Sequence, residues 1–338
     1  MTADAEAVLA AARRLADDVL FPDAMRVDRL DVLPTAHLDA LAALRLYGAP
    51  APREAGGLGL DLRELSAVVE ELAGGCLATA FVWLQHVGLL TTLAFGGAPP
   101  ALRDRWLAPA CGGSLRGGIA LTGLMPGPPL LRARPAEGGW RLDGTAPWVT
   151  GWGLVDLIVV VARGPDDTVV TLIMDAAGQP GLTVSRQRLS AVDASVTVRL
   201  GFDAVEIPGE RFAGQAPFDP AASTQPEALR VNGSLALGVA GRCCRLLGPG
   251  PLDDELAACR VRLDEALEAG PAAMAAARAS ASELAVRASA ALAVRDGSSS
   301  ITVDQHAQRL AREAVFLLVF GSRPAIKTAL LHQLVVRT

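Results

Sequence analysis

The spacing of apolar residues changes twice along this chain, and that double change constrains its fold more than any single motif. From Ala3 to Ala108 they recur every three or four residues, as in Leu65-Val68-Val69-Leu72 and Trp83-Val87-Leu90, which sets one oily stripe on each of several helices. One conspicuous loop interrupts them at 47–60, punctuated by Pro50, Pro52, Gly56, Gly57 and Gly59, with Asp61 placed to cap the next helix. Between about Ser114 and Phe212, short β-branched or alternating runs take over at 157–162, 168–174 and 196–200, parted by Gly, Pro and Asp. They predict a small antiparallel sheet. Helical spacing returns from Pro226 to Leu334 beyond a linker at 214–225, and Gly248-Pro-Gly-Pro251 and Asp296-Gly-Ser-Ser-Ser300 break it into several helices. The fold class is therefore α+β and multidomain, with a helical N-terminal domain over 1–113, a central antiparallel β domain over 114–213 and a C-terminal helical bundle over 226–338.

Hydrophobic residues make up 51% of the 338 and charged residues 20%, an apolar balance that implies buried helix faces and a subunit interface. No apolar stretch reaches the roughly 18 to 20 residues needed to span a bilayer. The opening pattern at 1–18 is acidic and rich in Ala and Leu, without the cationic front of a secretory leader, so secretion is not expected. A net charge of −5, with arginines scattered along helices, lacks the concentrated basic face that neutralises phosphates and excludes a nucleic-acid partner. Five cysteines, Cys76, Cys111, Cys243, Cys244 and Cys259, form no CxxC pair and no metal spacing with histidine. They read as small buried hydrophobes in a reduced, cytoplasmic setting.

Two segments carry the chemistry. Gly117-Gly-Ile-Ala-Leu-Thr-Gly-Leu-Met-Pro-Gly-Pro-Pro129 ends a strand in a Gly/Pro-rich turn, and Asp143-Gly-Thr-Ala-Pro-Trp-Val-Thr150 sets one aromatic ring two residues from a hydroxyl. An aromatic face stacks on a π-system, while hydroxyls and backbone amides satisfy polar ring edges that are costly to bury unpaired. Together they would hold a planar, hydrogen-bonding cofactor.

With these segments, Gly48-Ala-Pro-Ala-Pro-Arg-Glu-Ala-Gly-Gly-Leu-Gly59, Val69-Glu-Glu-Leu-Ala73 and Leu200-Gly-Phe-Asp-Ala-Val-Glu-Ile-Pro208 follow in an order and spacing that resembles the acyl-CoA dehydrogenase superfamily. The resemblance implies a helical N-terminal domain, a central β domain and a C-terminal four-helix bundle. It further implies an FAD flavoprotein and oxidoreductase acting on CH-CH donors, which dehydrogenates an acyl-CoA-like thioester at its α,β carbons and passes the hydride to FAD. The assembly would be a homo-oligomer, dimer or tetramer, or a hetero-oligomer. By the same resemblance, the backbone of Ile119 and Leu121 and the hydroxyl of Thr122 would meet the flavin ring, and Gly127 would let the chain approach it. Trp148 would pack on the isoalloxazine, and Thr150 would bond near the phosphate arm.

The departures from the family pattern are specific. Where relatives continue Thr-Glu-Pro-x-Ala-Gly-Ser-Asp, this chain has Thr122-Gly-Leu-Met-Pro-Gly-Pro-Pro129, so Gly123 takes the carboxylate position and Pro128, with no donor, the hydroxyl position. Arg260-Val-Arg-Leu-Asp264 and Phe320-Gly-Ser322 are the nearest counterparts of the elements that hold the adenine half of FAD. A terminal catalytic glutamate would fall beyond Thr338, and the alternative place on the first bundle helix falls at Ala228, with Glu227 turned about 100° away. The catalytic base is therefore unassigned.

His86, beside Gln85, sits on a helix that lines the pocket in the family, or is a plain core or surface histidine. His37, His306 and His332 read as surface residues. Arg230 and Asn232 would face a thioester carbonyl or phosphate, or are helix-surface polar groups. Arg323 and Lys327 flank a turn that suits a pyrophosphate at free helix-start amides, or simply joins two helices. Three functions remain open: the dehydrogenase, a non-catalytic or partner subunit of the same fold, and a flavin-dependent monooxygenase of that fold.

Overall fold

The computed structural model describes residues 3–335; Met1, Thr2 and 336–338 lie outside the described residues, and with them the ends of the first and last expected domains and the Thr338 position. Six helices come first: α1 (Ala3–Leu15), α2 (Phe21–Val27), α3 (Thr35–Ala43), α4 (Leu62–Gly75), α5 (Leu77–Leu90) and α6 (Pro100–Gly112). Asp61 starts α4 with a capping box: its carboxylate accepts from the Glu64 amide at 2.8 Å, and the Glu64 carboxylate accepts from the Asp61 amide at 3.1 Å. Two otherwise unpaired helix-start amides are thereby satisfied. The Leu65-Val68-Val69-Leu72 stripe of α4 is buried as its spacing requires.

By length and composition alone Leu77–Phe95 is long and apolar enough to cross a membrane, which corrects the expectation that no stretch reaches that length. Its window is 72% buried inside the protein, and every residue of α5 except Val87 and Gly88 is buried.

Eight strands follow: β1 (Gly117–Ala120), β2 (Leu131–Ala136), β3 (Gly139–Val149), β4 (Leu157–Arg163), β5 (Thr168–Asp175), β6 (Leu182–Arg186), β7 (Val198–Pro208) and β8 (Phe212–Pro217). They form one sheet in the order β6-β7-β3-β2-β4-β5-β8, with β1 beside β4. The ladder is antiparallel except where β1 and the single Arg132 bridge of β2 run parallel to β4. A third of the expected linker is strand: Gly214, Gln215, Ala216 and Pro217 pair with β5 opposite Thr171, Val170, Val169 and Thr168. An edge strand tolerates Pro and Gly that a central strand does not, so the composition misled.

The run at 196–200 also begins differently. Val192 and Val196 both have positive φ, at 54° and 48°, around a 3-10 turn at Asp193–Ser195, and the strand starts only at Val198. Left-handed valine is strained by its branched Cβ, and it persists here because Gly151 and Trp152 donate to the carbonyls of Ser195 and Val196 at 2.9 and 3.2 Å.

The last layer holds α7 (Pro226–Leu247), α8 (Pro251–Ala269), α9 (Pro271–Asp296) and α10 (His306–Val319), with α11 (Pro324–Val335) packed on α9. Buried apolar side chains run without a gap from α1 through the sheet to α11, and a second cluster fills the space between α5, α6 and β4, β5. Interlayer packing therefore fixes how the sheet faces both helical layers.

Candidate functional site

β1 brings Ile119 beside Val159 of β4 and packs its side chain against Gly88 of α5. At Leu121 the chain leaves the strand and closes a 3-10 turn over Thr122–Leu124, held by Leu124 and Met125 amides donating to Leu121 and Thr122 carbonyls at 3.1 and 3.2 Å. Gly123 lies directly on β4: a Cβ there would sit 2.6 Å from the Ala162 carbonyl carbon and 2.7 Å from the Val161 oxygen. No side chain fits, which explains the glycine where the family pattern has a carboxylate. Gly127, at φ 93°, stands in open space.

The turn has an anchor that sequence reasoning missed. Arg163, buried at the end of β4, donates from Nη2 to the Met125 carbonyl at 3.1 Å and from Nε and Nη2 to the Gly123 carbonyl at 3.4 Å. Its Nη1 meets Asp167 at 2.9 Å, and its plane lies 3.4 Å from the centre of the Phe218 ring. Nothing in the local sequence marks an arginine on a hydrophobic strand as a turn anchor.

β3 packs against both β1 and the Thr122–Leu124 turn, and the Thr150 carbonyl just past its end lies 3.4 Å from where a Cβ on Gly118 would stand. A register shift in the β3–β7 ladder lies between Ala146 and Val149: Ala146 pairs with Leu200 and Val149 with Val198, so β3 carries one residue more than β7 there. Such a bulge re-aims side chains. Trp148 is 64% exposed on the outer surface, whereas Val149 and Thr150 are buried. The Thr150 hydroxyl meets Thr197 Oγ1 at 3.0 Å, and Thr197 meets Ser195 Oγ at 3.1 Å, a buried chain of three hydroxyls.

From the bundle side, the 3-10 turn Pro220–Thr224 contacts the Thr122–Leu124 turn, and Arg323, between α10 and α11, donates to the Ser223 carbonyl at 3.0 Å. Asn232 of α7 faces Gly321 in the same turn. Phe81, Phe316 and Phe320 pack beside them, with ring centres 4.9 to 5.6 Å apart. Arg278 is fully buried and donates to Ser282 and to the Leu317 and Phe320 carbonyls at 3.3 and 3.4 Å. Burial pushes its pKa down to about 10, and the carbonyl end of α10 offsets part of that cost.

The candidate acids and bases are mostly committed elsewhere. Arg230 is buried and braced by Asp264 at 2.6 Å and Ser234 at 2.7 Å, with Glu70 at 3.9 Å. Glu227 and Ala228 are exposed at the start of α7, and Lys327 is exposed on α11. Four carboxylates are buried among the described residues. Glu64 serves the α4 cap, Glu70 pairs with Arg260 at 2.6 Å, Glu71 with Arg13 and Arg245 at 2.7 and 3.2 Å, and Glu313 with Arg309 at 2.6 Å. Burial raises the pKa of Glu70 and Glu313 against the pull of these arginines.

His86 is a core residue. Its Nδ1 accepts from the Gly117 amide at 2.9 Å, which puts the ring hydrogen on Nε2, and its ring meets Tyr47 edge-on at 4.8 Å. Burial pushes its pKa down to about 3; no partner meets Nε2 at hydrogen-bonding geometry among the described residues, although the Ala110 carbonyl favours protonation.

Two histidines expected at the surface are corrected. His37 is buried between Thr79 at 2.9 Å and Asp23 at 3.0 Å, because α3 turns its His37-Leu38-Leu41 face to the core, and burial lowers its pKa. His306 is half-buried and stacks on Phe21 with centres 4.1 Å apart, and burial pushes it down to about 4. His332 is exposed, and all five cysteines are buried free thiols. Among the described residues no three histidine, cysteine or acidic side chains are grouped to hold a metal.

Residues 2–114 match the family described as acyl-CoA dehydrogenase, N-terminal domain. Benzylmalonyl-CoA dehydrogenase of Aromatoleum aromaticum is 29% identical over 237 residues, 67% of this chain and 62% of that protein. The mitochondrial short-chain specific acyl-CoA dehydrogenase of Rattus norvegicus is 28% identical over 213 residues, 60% of this chain and 51% of that one. The chain thus spans between about half and three-fifths of the curated relatives it matches. Among solved structures, a glutaryl-coenzyme A dehydrogenase in complex with glutaryl-CoA superposes with a TM-score of 0.85 at 20% identity, over 100% of this chain and 96% of that one. The glutaryl-CoA dehydrogenase of Mycobacterium smegmatis in complex with FADH2 gives 0.81 at 20%, over 99% and 95%. These likenesses establish the fold.

Proposed function

Because this chain belongs to the acyl-CoA dehydrogenase superfamily, we propose that it is a cytoplasmic, homo-oligomeric flavoprotein that removes hydrogen from the α and β carbons of an acyl thioester. FAD, when bound, supplies the acceptor for the β-hydride. The observation that carries this reading is Trp148, an exposed indole at a bulge in β3, the strand that packs against both β1 and the Thr122–Leu124 turn. An indole face open to solvent is one on which a planar ring can stack.

The residues present fit the ring of the cofactor. Trp148 offers a stacking face, the backbone of Ile119 and Leu121 and the Thr122 hydroxyl offer polar partners, and the open turn at Gly127 admits a close approach. Thr150 has its hydroxyl shared with Thr197, so it would steady the phosphate arm through what bonding capacity remains. The phenylalanines at 81, 316 and 320 would keep water from the reacting carbons. An absorption spectrum of the purified protein, before and after FAD is added and passed through gel filtration, tests the reading. Flavin bands that persist support it; a colourless protein that takes up no FAD and reduces no dye with acyl-CoA overturns it.

The commitment of all four buried carboxylates favours a second reading, a partner subunit whose base comes from another chain. Proton removal next to a carbonyl calls for a carboxylate in a dry pocket. Co-purification decides it: a homo-oligomer that turns over acyl-CoA alone removes the need for a partner.

A further inference from the structure

We propose that Arg163 is the positioning residue of the turn at 122–129, holding the backbone that faces the cofactor in one geometry from beneath. The inference rests on the flavin reading above for its functional half. The turn has few directional bonds of its own: beyond its two internal hydrogen bonds it has four glycine or proline residues in succession at 126–129, and a Cβ on Gly127 would meet nothing within 4 Å. Gly123 permits the turn to lie on β4, yet close approach alone supplies no directional bond.

Arg163 supplies those bonds. Its fork reaches the carbonyls of Gly123 and Met125 together, two groups that bracket Leu124. The guanidinium is held in turn by two restraints, Phe218 covering its face at 3.4 Å and Asp167 meeting its far nitrogen, and the Phe218 amide donates to the Asp167 carbonyl at 2.9 Å, which ties the two together. A planar donor sealed under an aromatic ring loses little freedom on bonding, and bonds from a charged donor are stronger than neutral ones. Asp167 itself is exposed and contributes little; the two carbonyls and the ring do the holding. Lysine at this position would keep the charge and lose the fork.

The test is amide hydrogen exchange on the full chain without added flavin, together with FAD titration. Arg163→Met should speed exchange across 121–129 by about tenfold or more, the equivalent of losing one charged hydrogen bond, while α7 keeps its protection. FAD affinity should weaken by a similar factor, and the visible circular dichroism of bound flavin should change. Arg163→Lys should recover part of the affinity and less of the dichroism, a split that lost stability alone would not produce. Unchanged exchange at 121–129 in Arg163→Met overturns the positioning role whether or not the protein binds FAD. A loosened turn with unaltered FAD affinity and dichroism overturns its functional half. If the native chain takes up no FAD, the proposed function fails, and the exchange result still judges the anchor. Should Arg163→Met not fold, Phe218→Leu, which removes only the lid, carries the same measurements.

Discussion

His86 Nδ1 accepts the amide hydrogen of Gly117 at 2.9 Å, and so a buried imidazole of α5 fixes the first residue of β1. The bond requires that nitrogen to be unprotonated. Acid must therefore break the link between the helical layer and the strand that leads into the candidate site.

The sign follows from burial. The folded-state pKa of His86 lies at about 3, below its unfolded value of 6.5, so the unfolded chain takes up the proton first. Stability is fully present above pH 6.5 and is lost as pH falls from there toward 3, at about 1.4 kcal/mol per unit for one such group. His37 and His306, both lowered by burial, act in the same direction. Urea unfolding at a series of pH values should show this slope, and His86→Asn should flatten it; an unchanged slope in the variant contradicts the assignment.

Trp148→Ala separates binding from stability. The indole is mostly in water, so its loss should alter the unfolding free energy by no more than about 0.5 kcal/mol. FAD affinity should fall by about tenfold, the upper range for a lost aromatic stack. A thermal melt and a fluorescence titration check both; undiminished affinity would remove Trp148 from the cofactor face.

Removing one half of the buried Arg309–Glu313 pair should be severe. Both side chains are almost wholly enclosed, 2.6 Å apart. Arg309→Met leaves an uncompensated buried carboxylate and should cost about 3–5 kcal/mol, whereas the double variant Arg309→Met/Glu313→Leu should recover much of that loss. Equal destabilisation in single and double variants would show that the pair is not coupled.

Thr150→Val removes the first hydroxyl of the chain through Thr197 to Ser195 and leaves a buried oxygen short of a partner. The expected cost is about 1–3 kcal/mol, with Thr150→Ser close to the native protein. Chemical denaturation measures it, and parallel FAD titrations report whether this hydroxyl also serves the cofactor. A valine variant as stable as the native chain would mean that the hydroxyl chain contributes nothing.

Much of the architecture was legible in the residue order. The Leu65-Val68-Val69-Leu72 stripe, the Asp61 cap and the breaks at 248–251 and 296–300 are signals between near neighbours, and each appears where the spacing placed it. The strand in the linker was not, because β8 owes its extension to the open edge of β5 rather than to its own Gly, Gln and Pro. The burial of His37 and His306 was hidden for a similar reason: their partners, Thr79 and Phe21, are distant in sequence.

The candidate site divides along the same line. By itself the sequence determined that an indole and a hydroxyl stand two residues apart and that a glycine-rich turn follows a strand, since local composition decides such features. Only the tertiary structure decided that a bulge sends Trp148 outward while Thr150 turns in to Thr197, and that Arg163 grips the turn from below. The physical reason is that a side chain's direction and partners depend on which strand lies opposite and in what register, and that pairing is settled between segments far apart in the chain.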